Sequence, residues 1–329
     1  MKKKLAVLLL VPALMLSGCS MLNNILGKLT SMVDEQSQKE EDAEDQKEYA
    51  QTVKIDDSKK GSPVSYEEAR QTANEINAEV QLRAALMETE EGVQQVIEDT
   101  DKFSYQFKVK MDDEYILNKV NYSRSDAYFS SILDERIPVE HENQKYISTG
   151  HTEIYDYLDG RSGDCVQAVK HNYNGYREDD SGVWGPYDSH SAYYRYVPLS
   201  TFDSDIFTQL SELIVSIGNQ GKNYMQSLDP YFNETYQGFG EVTLQYCSKG
   251  AGHLYGKIDI PTIGVTFEFL FENYWITYEY MHVDMRKLQT YVDYDLGTSY
   301  KQMSTELYMN FDTVNLSYPD LSGYQEYTR

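Results

Sequence analysis

The sequence predicts an α+β domain, a large curved antiparallel sheet of half-barrel type covered by amphipathic helices. Alternating apolar and polar residues recur in paired runs whose inward parity swaps across short turns, as hairpins demand. Two other segments space their apolar residues by three and four, the period of a helix face. The run VTFEFLFENYWITYEYMHVDM, residues 265–285, is the densest aromatic stretch of a chain with 30 tyrosines against 11 phenylalanines. Tyrosine suits pleated, half-buried surfaces, where the ring packs and the hydroxyl reaches water.

The chain opens MKKKLAVLLLVPALMLSGCS. Three lysines, an apolar stretch from Leu5 to Leu16 and small residues before Cys19 make a secretory signal, too short for a spanning helix of about 20 residues. Leu16-Ser17-Gly18-Cys19 resembles the bacterial lipobox. That resemblance implies a signal peptide over 1–18, diacylglyceryl attachment at Cys19, and a lipid anchor holding the chain on the extracytoplasmic face of the cell membrane. Lipid chains anchor by burying methylenes at about 0.8 kcal/mol each, and two or more hold stably. Residues 19–63 read as the lipidated N-terminus and an acidic linker, since DEQSQKEEDAEDQKE at 34–48 has too few apolar residues to offset its ordering entropy. Residues 64–329 are then one domain.

Ala69, Ala73, Ile76, Val80, Leu86, Val93 and Val96 predict one helix or two over 65–98, with a break near Gly92. In the hairpin that follows, Phe103, Tyr105, Phe107, Val109 and Met111 alternate with polar residues. An Asp112-Asp113 turn sets Val109 opposite Ile116, Tyr105 opposite Val120 and Phe103 opposite Tyr122. Strands are expected near 127–133, 145–158, 165–173 and 192–198, with a loop over 174–191. Ile206, Phe207, Leu210, Leu213, Ile214 and Ile217 predict a helix over 203–220, capped by Asp203 or Ser204 and ended by Gly218 or Gly221. Strands at 241–247 and 253–260 precede the aromatic run.

In that run the odd residues Val265, Phe267, Phe269 and Phe271 precede an expected Glu272-Asn273 turn, after which the even Tyr274, Ile276, Tyr278 and Tyr280 continue the same face. Phe271 is expected opposite Tyr274, Phe269 opposite Ile276 and Phe267 opposite Tyr278. Trp275, Met281, Val283 and Met285 fall on the other face, under a second covering element or as a small exposed patch. A last hairpin pairs the even Leu288, Val292, Tyr294 and Leu296 with the odd Met303, Thr305, Leu307 and Met309 around Gly297-Thr298, leaving one wet face.

The net charge of −24 disfavours nucleic acid and anionic headgroups as partners. His141, His151, His171, His190, His253 and His282 are scattered without metal-ligand spacing, and a strand or surface packing role is expected for them. No nucleophile elbow is present, no cofactor motif is recognised, and no carboxylate pair stands out as catalytic. Asp179-Asp180-Ser181-Gly182 fails as an EF-hand loop, because Arg177 would fill its first ligand position. Cys165 and Cys247 are expected as buried thiols or as one disulfide.

The order of lipobox, acidic spacer, helix, antiparallel strands, amphipathic helix and further strands resembles the lipoprotein carrier folds of the LolA and LppX/LprG type. FDTVNLSYPDL, Phe311 to Leu321, looks like their last strand and proline. The resemblance implies a hydrophobic or amphiphilic, lipid-like ligand held between sheet and helices, with Phe267, Phe269, Phe271, Tyr274, Ile276, Tyr278 and Tyr280 as its wall. The alternatives are a non-enzymatic surface or interaction lipoprotein whose core is filled, and an envelope hydrolase.

Overall fold

The computed structural model describes residues 54–327, except 143, 179–182, 203–205, 207–209, 212, 216, 219–241 and 293–299. Cys19, the signal segment and the acidic run at 34–48 lie outside the described residues, as do Asp179-Asp180-Ser181-Gly182 and the turn expected at Gly297-Thr298. The fold is α+β and dominated by strands, thirteen among the described residues. Most pair antiparallel, while β13 runs parallel to β7. The chain forms two compact units, one of residues up to 93 with 212–307, the other of 94–211 with 308–329.

In the first unit α1 (Asp57–Lys60) and β1 (Ser62–Pro63) precede α2 (Tyr66–Leu86). Ser65 starts α2 with a capping box, its hydroxyl accepting from the Glu68 N–H while the Glu68 carboxylate accepts from the Ser65 N–H. Ala69, Ala73, Ile76, Val80 and Ala84 form its buried stripe. The small alanines let the helix approach the sheet, and α2 packs on β8 (Thr243–Gly250) and β9 (His253–Ile260). The break before α3 (Glu90–Asp99) falls at Met87 to Thr89, not at Gly92. The Thr89 hydroxyl accepts from the Gly92 N–H and caps α3, so the glycine lies inside its first turn.

The first unit's strands run in the order β1, β8, β9, β10 (Val265–Glu272), β11 (Trp275–Asp284), β12 (Gln302–Asn310). The β10–β11 hairpin departs from the sequence reading in two ways. Its turn is Asn273-Tyr274, both at positive φ (51° and 65°), the mirror-image turn that matches strand twist. Moving the turn by one residue alone would have kept the expected faces. Thr277, however, is an extra residue in β11: Phe271 pairs with Ile276 while Leu270 pairs with Tyr278. Past this bulge Phe269 opposes Glu279, Phe267 opposes Met281 and Val265 opposes Val283. The face of Phe267, Phe269 and Phe271 therefore includes Glu279, Met281 and Val283, whereas Tyr278 and Tyr280 share the opposite face with Leu270 and Glu268. Of the four residues expected under a covering element or as a small exposed patch, Met281, Val283 and Met285 are buried and Trp275 is partly exposed.

The last hairpin is also corrected. Residues Met285–Val292 form a helix, α4, whose first turn is capped by the Asp284 carboxylate accepting from the Arg286 and Lys287 N–H groups. Leu288 and Val292 are four apart, a spacing that one strand face and one helix face share, so parity could not tell them apart. Met303, Thr305, Leu307 and Met309 do lie on a strand, β12, but Gln302, Ser304 and Glu306 are buried as well, so the expected wet face is absent there.

The second unit's strands are β2 (Lys102–Met111), β3 (Glu114–Ser123), β4 (Tyr128–His141), β5 (Gln144–Leu158), β6 (Cys165–Glu178), β7 (Trp184–Val197) and β13 (Gln325–Glu326), in that spatial order. The β2–β3 register is the expected one: Val109 with Ile116, Tyr105 with Val120, Phe103 with Tyr122. The segment 174–191, expected as a loop, instead extends β6 and starts β7; fourteen-residue strands pair there from Cys165 with Val197 to Glu178 with Trp184. Ring contacts replace the missing aliphatic pattern: Trp184 stacks on His141 at 4.4 Å, Tyr146 meets Tyr176 at 4.6 Å, and Arg177 lies 3.4 Å over the Tyr187 ring. Phe311 to Leu321 is not a strand. It is held by the Tyr128 hydroxyl, which donates to the Ser317 carbonyl at 2.6 Å and accepts from the Ser317 N–H at 3.1 Å.

Phe202, Ile206, Leu210, Ile214 and Ile217 are helical and buried, as their spacing predicts. Phe202 is already helical, so the helix begins ahead of Asp203 or Ser204, and Gly218 is still within it. Phe207 lies outside the described residues.

Gly256 opposes Phe269 on the aromatic face, and a Cβ there would sit 2.3 Å from the Phe269 ring. Substituting Gly256→Ala is expected to destabilise the chain by about 1–3 kcal/mol through overpacking, measured as a lower urea midpoint with unchanged m-value.

Candidate functional site

The expected ligand wall is core. Phe269 and Phe271 are both 0 % exposed, and Phe267, Ile276, Tyr278 and Tyr280 are buried. The phenylalanine rings pack along the strand, Phe267 to Phe269 at 5.7 Å and Phe269 to Phe271 at 6.1 Å. Tyr274 is separate, at the hairpin tip. Its N–H donates to the Gly252 carbonyl, and Arg83 of α2 supports the turn by donating to the Asn273 carbonyl at 3.0 Å and lying over the Tyr274 and Trp275 rings. Next to that tip Val80, Met87, Ile217, Trp275 and Ile276 line a shallow cleft enclosing about 260 Å³, open solvent included. The room it leaves for a water-sized molecule is about 10 Å³, far short of a small-molecule site.

The bulge brings Glu279 to the aromatic face. It is 0 % exposed; Oε1 accepts from the Thr305 hydroxyl at 2.9 Å, and Oε2 is buried without a partner. Desolvation pushes its pKa up to about 8, against the usual carboxylate value of 4.5. The sequence signal was Glu279 itself, but a strict alternation put it on the other face. On the opposite face the Tyr255 hydroxyl donates to Glu268 at 2.6 Å, and α1 reaches across, with Lys60 over the Tyr255 ring and Lys59 3.4 Å from Glu272.

The second unit holds a different polar set. His151 on β5 lies between Asp134 of β4 at Nδ1 and Glu153 at Nε2, the latter at 2.6 Å; Lys170 of β6 is 3.6 Å from Glu153. Carboxylates only accept, so the ring donates from both nitrogens and is an imidazolium. Partial burial pulls its pKa down, but the hydrogen bonds from both carboxylates outweigh that and raise it. With both nitrogens engaged, His151 has no lone pair for general-base catalysis or metal ligation, and its role is to cross-link β4 and β5. The other histidines are also held by packing or hydrogen bonds: His253 joins the Lys59 carbonyl and the Lys249 N–H, His171 pairs with Thr152, and His190 with Asn172. Among the described residues no group of three His, Cys, Asp or Glu is arranged to hold a metal. Cys165 and Cys247 are buried thiols on β6 and β8, and no disulfide joins them.

What the second unit does expose is strand surface. Along β7 Tyr193 and Tyr196 are exposed, and most side chains from Trp184 to Val197 are partly or fully accessible. No helix among the described residues is long and apolar enough to cross a membrane. Comparisons with protein-family models, with curated proteins and with solved structures found no match.

Because Glu279 holds its proton more tightly in the folded chain than in the unfolded one, its contribution favours folding below about pH 4.5 and is withdrawn as pH rises toward 8. The span amounts to a few kcal/mol, on the order of 1.4 kcal/mol per unit. The variant Glu279→Gln lacks this ionisation, so the stability of wild type relative to the variant is expected to fall from pH 5 to pH 8.5. Urea unfolding across that range measures it, and a pH-independent gap contradicts the assignment.

Proposed function

We propose that this chain is a non-enzymatic, lipid-anchored extracytoplasmic lipoprotein that works by presenting sheet surface to a macromolecular partner. The observation that carries this reading is the contrast between the two aromatic sets. The phenylalanine stripe is packed against its own strand and Gly256, while the tyrosine-rich strands β5 to β7 keep much of their surface accessible. Tyrosine and tryptophan are the side chains on which interfaces rely for contact area at small entropic cost. Two ionisable groups argue for the same reading: half-buried His151 has both nitrogens bound, and Glu279 lies within the core.

A second reading, in which a half-barrel sheet covered by helices shelters a lipid-like ligand, is favoured by one feature, the apolar cleft beside Met87, Ile217, Trp275 and Ile276. A ligand there would enter by parting α2 from the hairpin tip, which Arg83 now holds closed. The two readings separate by mass. Purified chain compared under native and denaturing conditions is expected to give matching masses; a ligand-sized excess in the native spectrum supports the lipid reading instead. The anchor rests on the lipobox-like Leu16-Ser17-Gly18-Cys19. Labelling with an alkyne-tagged palmitate is expected to mark the wild-type chain and to be abolished in Cys19→Ala, with the variant leaving the membrane fraction.

A further inference from the structure

We propose that the outer edge of β7 between Asp188 and Ala192 is a strand-addition site for an extended, net-basic segment of a partner polypeptide. This inference rests on the reading of the chain as an interaction lipoprotein and names the surface and the partner's chemistry.

The direction of the backbone groups follows from two contacts. The Tyr194 carbonyl accepts from the Tyr327 N–H at 2.7 Å, beside β13, so Tyr194 turns its backbone groups away from β6. In an antiparallel ladder both backbone groups of a residue point the same way and alternate along the strand. The β6–β7 register runs through fourteen-residue strands without a shift, so Asp188, His190 and Ala192 also point their N–H and C=O groups outward. β6 agrees with this alternation: the Tyr176 N–H and the Asn174 carbonyl both bond toward β5. Among the described residues no strand or side chain takes up the outward groups of these three positions.

The open stretch has defined ends. β13 occupies the edge at Tyr193 and Tyr194, which shows that it accepts a strand. Pro186, outward by the same alternation, lacks an N–H and closes the other end. Exposed edges are ordinarily blunted by lysine, by a bulge or by a cover. From Trp184 to Tyr194 the sequence WGPYDSHSAYY carries no lysine or arginine, and its pairing with β6 has no bulge.

Charge selects the occupant. Asp188 is the acid on the open stretch itself, with Glu326 at the β13 end; Glu178, Arg177 and Lys170 sit on the neighbouring β6 and Arg195 beyond the stretch, so the selecting charge is Asp188 together with the chain's overall −24. A second copy would bring −24 against −24. A basic extended segment gains main-chain bonds along the edge and favourable charge with the chain, the logic of strand-addition recognition.

The test uses the full-length chain in detergent and a labelled, capped heptapeptide alternating valine and lysine, followed by fluorescence anisotropy. His190→Pro with Ala192→Pro removes two outward N–H groups that bond to nothing among the described residues, so the thermal melt is expected to hold while peptide affinity falls at least tenfold. Asp188→Lys is expected to weaken the lysine peptide and strengthen a valine–glutamate one; this variant decides the matter if the proline variant melts early. Equal binding by both variants and wild type, or no wild-type binding at millimolar peptide, overturns the proposal. Wild-type dimers that the proline variant dissolves, seen by sedimentation, would assign the edge to a second copy and also overturn it. Photo-crosslinking in cells from Tyr196 keeps the broader reading separate. If the proline variant crosslinks the same envelope protein as wild type, this edge is wrong and the interaction reading stands; if the wild type crosslinks none, the interaction reading itself fails.

Discussion

Thr277 is the residue on which the first unit's arrangement depends, because it adds one position to β11 opposite the step from Leu270 to Phe271. A strand's side chains alternate with period two, so a single extra residue exchanges the two faces of everything beyond it. Before the bulge Phe271 meets Ile276; after it Phe269 meets Glu279, and Tyr278 and Tyr280 turn to the face of Leu270 and Glu268. The phenylalanine stripe thereby carries an acid at its centre, and the tyrosines go to the face that α1 and Glu268 make more polar. Arg83 and the Gly252 carbonyl hold the mirror-image turn that sets where the bulge must fall.

Enclosing Glu279 has an energetic consequence that no surface acid would have. Its carboxyl has one hydrogen bond, from Thr305, and one oxygen with none, so the neutral form is the one the core accommodates. His151 stands at the other extreme: two carboxylates and partial exposure make its charged form the stable one. Both groups hold their protons more tightly when folded, and both withdraw stability as pH rises, Glu279 from about pH 4.5 upward and His151 from about pH 6.5 upward until its raised value is passed. Glu153 acts in the reverse direction: burial raises its pKa, but the His151 hydrogen bond and Lys170 prevail and lower it, so its contribution is lost on acidification below 4.5.

Much of this fold was legible in the sequence, and the failures share a cause. The β2–β3 hairpin could be read to single-residue register because Phe103, Tyr105, Phe107 and Val109 alternate without interruption into a two-residue turn. The helical stripe through Ile206, Leu210, Ile214 and Ile217 was equally plain. Where alternation is broken by one residue, as at Thr277, the pattern looks regular on either side and the reading inverts. Leu288 and Val292 satisfied both periods, and the Asp284 cap that decides for helix is local chemistry that parity ignores. The parts of β6 and β7 beyond the expected 165–173 and 192–198 hid behind Gly, Asp and Pro, since tyrosine and tryptophan ring contacts hold them in place of aliphatic alternation. The open edge of β7 was invisible for the same reason: a segment read as loop has no edge.

Cross-strand nuclear Overhauser contacts directly read the inverted register of β10 and β11, on which the first unit's arrangement depends. In the perdeuterated chain with protonated Phe, Met, Tyr and Glu residues, the bulged register predicts backbone contacts between Phe267 and Met281 and between Phe269 and Glu279. Contacts between Phe267 and Tyr280 and between Phe269 and Tyr278 would instead restore the unbulged pairing around the Asn273-Tyr274 turn, return Glu279 to the opposite face and contradict the arrangement described.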